Sequence, residues 1–418
     1  MLVRAICAHP VNIFPVIAGI AVFPVNLTGM IPRDCRLLWL LLILCSTAAS
    51  GQSSLQRFIS RMDSTIQQRT LEGKPVLTPY IAPSYTPETE LLISAGGLYS
   101  FSMKPGDPAT LRSAVPFSIG YSTNTSLLIS ILNEVYGPGD AWRLSGEIWL
   151  RNMPDHFWGV GFDDARAAVR SDSTTRYQRY FWQLLQRLRF HLGKQWFVGP
   201  ALDFNQTIAS DPNPVMVEEE HVKAQGLRNR NRGLGFSASI DTRDFPANAY
   251  RGMLVDITLF KYFKMLGGNN NYSTLEVDYR HYFQVRKPGH TLALQLFART
   301  VIGAGPWPEY TLLGSPFDLR GYYWGRYRDK VGLFGIAEYR HQFYRKTPNR
   351  SGSYLSSHGL CLWVGGGTMG AAWEAIGNFL PNAGFGYRFQ VQPRMNIRLD
   401  YGFGLASSSF YLSFAEAF

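Results

Sequence analysis

The sequence predicts an all-β protein, a transmembrane antiparallel β-barrel of about sixteen strands with a long lumen-directed loop before the twelfth. Three observations carry this. Apolar and polar residues alternate over segments of about ten residues, the length at which a tilted strand crosses a bilayer. Charged residues are only 17% of the 418, aromatics reach 14%, and Gly numbers 40. That is too little charge for an ordinary soluble surface. Downstream of residue 51, no run of about 20 apolar residues could cross as a helix.

Arg33 and Arg36, the apolar run from Leu37 to Leu44, and the small residues Ser46-Thr47-Ala48-Ala49-Ser50-Gly51 read as a secretory signal. Met30 is well placed as the true start, so residues 1–51 are assigned to an upstream extension and a cleaved signal peptide. Cys7, Cys35 and Cys45 fall in that region. The mature chain keeps only Cys361, and one thiol builds neither a disulfide framework nor a cysteine metal site. Residues 52–88, with Pro75, Pro79, Pro83 and Pro87, are expected to be a short polar periplasmic segment. They are too few for a folded domain. Residues 89–418 are then the barrel.

Within it, Leu234, Phe236, Ala238 and Ile240 alternate with Gly235, Ser237, Ser239 and Asp241. Met395, Ile397, Leu399, Tyr401 and Phe403 alternate with Asn396, Arg398, Asp400, Gly402 and Gly404. Such segments stand at 91–102, 114–122, 126–136, 141–151 and 157–164, and eleven more run from 176–191 to 408–418. The segment at 157–164 is the least regular. Lumen-facing positions of the later strands collect Asp256, Glu276, Asp278, Arg280, Arg299, Glu338, Arg340, Arg388, Arg398 and Asp400. Turned outward at mid-membrane, an Arg or Lys would cost roughly 2–4 kcal/mol. With the first strand running outward, the turns at 243–251, 286–289, 346–356 and 392–394 are periplasmic, and 304–330 is extracellular.

The stretch from Leu313 to Asp329 follows neither the helical nor the strand period. Gly314, Pro316, Gly321 and Gly325 break both, while Arg320, Arg326, Arg328 and a set of aromatics make it an ordered loop packed by its own side chains. Arg320 is its candidate anchor. A planar guanidinium pairs bidentately with a carboxylate, and Glu338 faces inward on the next strand.

Other chemistries find little support. Net charge is +11, but Arg is scattered singly, which argues against nucleic acid and for rim cations meeting anionic lipid headgroups. Gly365 to Gly370 spells G-x-G-x-x-G without the βαβ unit or the acidic residue about 20 positions on that a dinucleotide site needs. Neither G-x-S-x-G nor H-E-x-x-H occurs. His156, His281, His290, His341 and His358 look isolated. No catalytic residue, metal or cofactor is expected.

Leu319-Arg320-Gly321-Tyr322, placed before the twelfth strand, resembles the Arg-Gly-aromatic loop signature of the BamA/TamA superfamily of outer-membrane barrels. Asp241-Thr242-Arg243-Asp244-Phe245-Pro246 with Gly252 resembles that family's turn after the eighth strand. Ala337-Glu338-Tyr339-Arg340 resembles its twelfth strand. Phe414-Ala415-Glu416-Ala417-Phe418 is similar to the ending of its short surface-antigen-type members, with Phe414 and Phe418 as the C-terminal strand signal. Two features depart from the pattern. Members that handle protein substrates carry POTRA domains before the barrel, for which residues 52–88 have no room. Many also place an acidic residue on the thirteenth strand, where this chain offers Gly365.

The resemblance implies a non-enzymatic barrel of the bacterial outer membrane, acting in surface assembly or translocation. Its partners would be outer-membrane lipids and lipopolysaccharide, the barrel assembly machinery during biogenesis, and a separate periplasmic protein that could replace POTRA domains. The alternative is a passive or gated porin-like channel for small solutes.

Overall fold

The computed structural model describes residue 69 and residues 74–418, apart from 108–109, 194, 247, 349–353, 393–394 and 406. The expected signal segment lies outside the described residues. Sixteen strands close into one barrel. The first eight are β1 (Val76–Thr86), β2 (Glu90–Phe101), β3 (Ser113–Ser122), β4 (Leu127–Tyr136), β5 (Trp142–His156), β6 (Arg176–His191), β7 (Trp196–Ser210) and β8 (Arg228–Asp241). The rest are β9 (Gly252–Tyr262), β10 (Tyr272–Gln284), β11 (His290–Gly303), β12 (Val331–Tyr344), β13 (Leu355–Gly370), β14 (Asn378–Gln392), β15 (Met395–Gly404) and β16 (Ser407–Phe414). Thr311–Leu313 and Tyr327–Asp329 pair as a two-stranded ribbon inside the loop between β11 and β12.

The period of two puts alternate side chains on opposite faces of the wall. On β13, Leu360, Leu362 and Val364 are exposed outward, while Cys361 and Trp363 are buried in the lumen. Every expected lumen charge from Asp256 to Asp400 sits on a wall strand with that parity. The Gly365–Gly370 run is part of β13, paired on both sides, and so belongs to the wall rather than to a nucleotide loop.

Two expectations are corrected. Val76–Thr86, assigned to the polar periplasmic segment 52–88, is the first barrel strand, so the barrel begins before residue 89. Pro79 and Pro83 hid it, because proline lacks the N–H a ladder needs. The strand tolerates them because it lies at the closing seam, where pairing with β16 is sparse. Conversely, 157–164 is not a strand. Phe157 and Trp158 are consecutive and both buried, Gly159 and Gly161 hold φ of +91° and +93°, and a short helix Phe162–Ala167 follows. The two errors cancel in the count. From β6 onward the turns fall at alternate ends of the barrel in the expected grouping, whereas β2 to β5 run opposite to the sense expected relative to them.

The loop 157–175 joins loops 211–227 and 304–330 over one end of the barrel. Phe157 meets Trp307 edge-on at 5.2 Å, Arg328 lies 4.6 Å over the Phe157 ring, and the N–H of Gly161 donates to the Arg328 carbonyl at 2.9 Å. Met216 and Val222, from the short helices Pro214–Glu218 and Glu220–Gln225, are buried in the same cluster.

Candidate functional site

The loop between β11 and β12 enters the lumen, and its tip is held on the inner wall of β12 to β16. Arg320 is fully buried. Its Nη2 donates to Oε2 of Glu338 at 2.5 Å and its Nη1 to Oδ2 of Asp400 at 2.9 Å. The guanidinium lies 3.6 Å over the ring of Trp363. The fork thus grips β12 with one prong and β15 with the other, across the face of β13. The Arg320–Glu338 contact anticipated in the sequence is present. Asp400 is the partner the sequence reading missed, and it makes the thirteenth-strand acid unnecessary. The signal was there: Asp400 has inward parity, with Gly402 and Gly404 beside it on the same face.

Those glycines let backbone meet backbone. A Cβ on Gly402 would stand 2.2 Å from the Arg320 carbonyl oxygen, and one on Gly321, held at φ +117°, only 2.7 Å from the Gly402 carbon. The signature is cradled further by polar contacts. The N–H of Gly321 donates to the Tyr411 hydroxyl at 3.0 Å, and the Asn382 side chain donates to the Arg320 carbonyl. Tyr322, fully buried, donates its hydroxyl to the Pro381 carbonyl and accepts from the N–H of Leu405, both at 2.7 Å. Leu319 is buried beside it in the apolar cluster.

Around Arg320 lies a closed charge network. Glu338 accepts from Arg340 at 2.7 Å, Asp400 from Arg388 at 2.5 Å and from Arg398 at 3.1 Å, and Glu416 from Arg388 at 2.9 Å. Four guanidiniums therefore face three side-chain carboxylates and the carboxyl of Phe418, which accepts from Arg340 at 3.0 Å. Nε of Arg320, Nε of Arg398 and Nη1 of Arg340 are buried without an acceptor among the described residues. The Pro316 carbonyl accepts from Arg398 at 3.0 Å.

Phe418 itself corrects an expectation. The last strand ends at Phe414, and Ala415 at φ +65° turns the tail into the lumen. Phe418 is 6% exposed, packed on Tyr282 at 6.5 Å with Arg340 at 5.3 Å over its ring, so it does not continue the outward row of Phe410 and Phe414.

The turn motif borders this site, for Ala249 packs in the apolar cluster that holds Phe418. Arg243 grips Asp241 with Nε at 2.9 Å and Nη2 at 2.8 Å, and Asp244 accepts from the N–H of Tyr250 at 2.9 Å. Gly252, at φ +97°, passes so near the Thr242 carbonyl that a Cβ would lie 2.2 Å from its oxygen. The motif closes a turn at the opposite end of the barrel from the loop.

The base of the loop is held differently. Glu309, on the turn Trp307–Glu309, accepts from Asn231 at 3.2 Å and faces Arg299 at 3.6 Å. Burial pushes its carboxyl up to about 7, with Asp203 adding and Arg299 opposing without prevailing.

The wall is uneven. The ladder between β15 and β16 runs from Ile397–Phe414 to Gly404–Ser407, whereas β1 meets β16 at a single described pair, Tyr85 with Leu412.

Residues 112–409 match the Omp85 superfamily domain. The chain belongs to the Omp85 superfamily. Omp85 barrels are bacterial outer-membrane proteins, and the resemblance seen in Leu319 to Tyr322 holds for most of the chain. Among solved structures it is similar to BamA from Haemophilus ducreyi lacking POTRA domains 1–3, at 11% identity and TM-score 0.55, over 85% of this chain and 78% of that one. It also matches CdiB from Acinetobacter baumannii, at 12% identity and TM-score 0.49, over 82% of this chain and 60% of that one. The likeness to BamA, at that identity, is one of fold. No curated protein sequence matches.

Proposed function

We propose that this Omp85 barrel resides in the bacterial outer membrane and acts there, without enzymatic chemistry, in assembling or translocating a client. The loop 304–330 serves as a fixed lumen plug and the β1–β16 seam as the part that opens. The observation that carries this reading is the contrast between a loop tip locked by Arg320 to two strands and a seam joined at one described pair. Each ladder hydrogen bond is worth about 0.5–1.5 kcal/mol net, so β1, with one described pair to β16 and none to β2, is the least costly strand to part from the wall. Pro79 and Pro83 deepen the difference by removing two donors from β1. Lipids and lipopolysaccharide would surround the barrel, the barrel assembly machinery would install it, and a separate periplasmic partner would present the client.

The charged lumen wall, with Asp278 and Arg280 paired at 2.5 Å, favours a second reading as a gated pore for small solutes. Planar-bilayer conductance separates the two. A plugged barrel stays mostly closed, with rare openings that a Tyr85→Cys/Leu412→Cys disulfide across the seam suppresses and reduction restores. A stable open pore in the unmodified protein, indifferent to that disulfide, overturns the assembly reading.

A further inference from the structure

The outer face of β10 to β13 carries an unusual sequence of surfaces. At the end of the barrel opposite the loop, the turn after β10 contains Arg286 and Lys287, and the turn after β12 contains Arg345 and Lys346, with no acidic residue in 285–289 or 345–354. Between them stands a histidine pair whose members are 51 residues apart in the chain. His290 and His341 oppose each other in register, their Nδ1 atoms 3.3 Å apart and their rings 4.4 Å apart. His290 also bonds the Tyr339 hydroxyl at 2.7 Å, and Tyr344 packs beside it. Cations with polar-tipped aromatics are what a protein presents at headgroup level.

Further along the same face the wall is hollowed. Leu296, Gly335 and Gly366 stand side by side in register on β11, β12 and β13, and the missing side chains leave an apolar furrow bounded by Leu333 and Phe379. Gly335 and His341 lie on one face of β12, six residues apart. At about 3.3 Å per residue that is roughly 20 Å along the strand. With a strand tilt of about 40°, it becomes roughly 15 Å of depth, one leaflet of a hydrocarbon core about 30 Å thick. The furrow therefore begins where an acyl chain descending from the basic rim would end.

We infer that this sector is a docking site for one anionic glycerophospholipid of the inner, periplasmic leaflet. Lys287, Lys346 and the His290–His341 pair receive its phosphate headgroup, and the near mouth of the furrow at Gly335 and Gly366 receives the end of an acyl chain. The site rests on the membrane placement proposed above. It lies on the outer wall, away from the seam and from the Arg320 network, so it offers a fixed lipid contact on the side of the barrel that does not open.

Native mass spectrometry of the folded full chain in detergent, with added phosphatidylglycerol or phosphatidylcholine, tests it. The wild-type barrel should retain one phosphatidylglycerol in preference to phosphatidylcholine. Each cation near an anionic headgroup contributes about a fivefold factor, so Lys287→Ser/Lys346→Ser should lower phosphatidylglycerol retention roughly 25-fold and remove the preference. Gly335→Leu, whose added atoms fill the furrow against the flexible end of Leu296, should lower retention of both lipids. Equal retention of the two lipids by wild type, unchanged retention in either variant, or displacement by inorganic phosphate would overturn the site. Heat-modifiable mobility and insertion into vesicles report separately on the membrane reading. A chain that does not insert sinks that reading, whereas an inserted barrel without lipid preference sinks only the docking site.

Discussion

The two anchors of the loop 304–330 use opposite chemistries. At the tip, Arg320 is shared by two carboxylates, each also held by another arginine, in a buried network of interlocked charges. At the base, Glu309 has one guanidinium 3.6 Å away, an amide donor and another buried carboxylate nearby, and its environment favours the neutral acid. A buried charge must be compensated by several partners or given up. The tip takes the first course and the base the second. The tip should therefore be insensitive to pH and intolerant of substitution, and the base the reverse.

Removing a carboxylate from the tip should do the most damage. Glu338→Ala leaves four arginines facing Asp400, Glu416 and the Phe418 carboxyl, an uncompensated buried charge costing about 3–5 kcal/mol. The thermal midpoint of the heat-modifiable barrel should fall accordingly. Arg320→Ala leaves Glu338, Asp400 and Glu416 each with another arginine, so it should free the loop to protease between Gly314 and Asp329 while disturbing the wall less. The double variant should be more stable than Glu338→Ala by itself. Additive losses would mean that the residues do not share one network.

The tail is the next most sensitive member of the tip. Phe418→Ala removes a ring packed on Tyr282 and Arg340, and truncations of buried aromatics cost about 3–5 kcal/mol. Folded protein in the membrane fraction should drop. An unchanged melting profile would detach the tail from the network.

A smaller effect is expected from Arg320→Lys. The ammonium can keep Glu338 or Asp400 but cannot fork between them, and one charged hydrogen bond is worth about 1.5–3 kcal/mol. Conductance should show more frequent openings than wild type but fewer than Arg320→Ala. Equal behaviour of the two variants would make the bidentate geometry irrelevant.

The mildest test addresses the base. The Glu309 carboxyl is raised from 4.5 to about 7, so the docked loop holds a proton that the released loop gives up. Docking of the base is then strongest in acid and weakens as pH rises from about 4.5 to about 7. Proteolysis near Trp307 should increase over that window in wild type, and Glu309→Gln should flatten the dependence. A dependence of the opposite sign would show that Arg299 prevails.

The barrel class and most strand positions were legible because lipid on one side and a polar lumen on the other impose a strict period of two, which one chain displays by itself. The Arg320 loop was legible for a similar reason, since four breakers among arginines and aromatics fit no regular element. The first strand was not, because Pro79 and Pro83 erase the local pattern, and only closure of the ring onto β16 makes a strand of them. The segment 157–164 failed from the other direction. Phe157 and Trp158 look like a strand until loop 304–330 covers both at once. Asp400 carried the right parity, yet nothing local could say which lumen charges meet, because β12 and β15 are neighbours only across the curvature of the barrel. Alternation along the chain determined what faces the lumen, and the closed cylinder alone decided which of those residues touch.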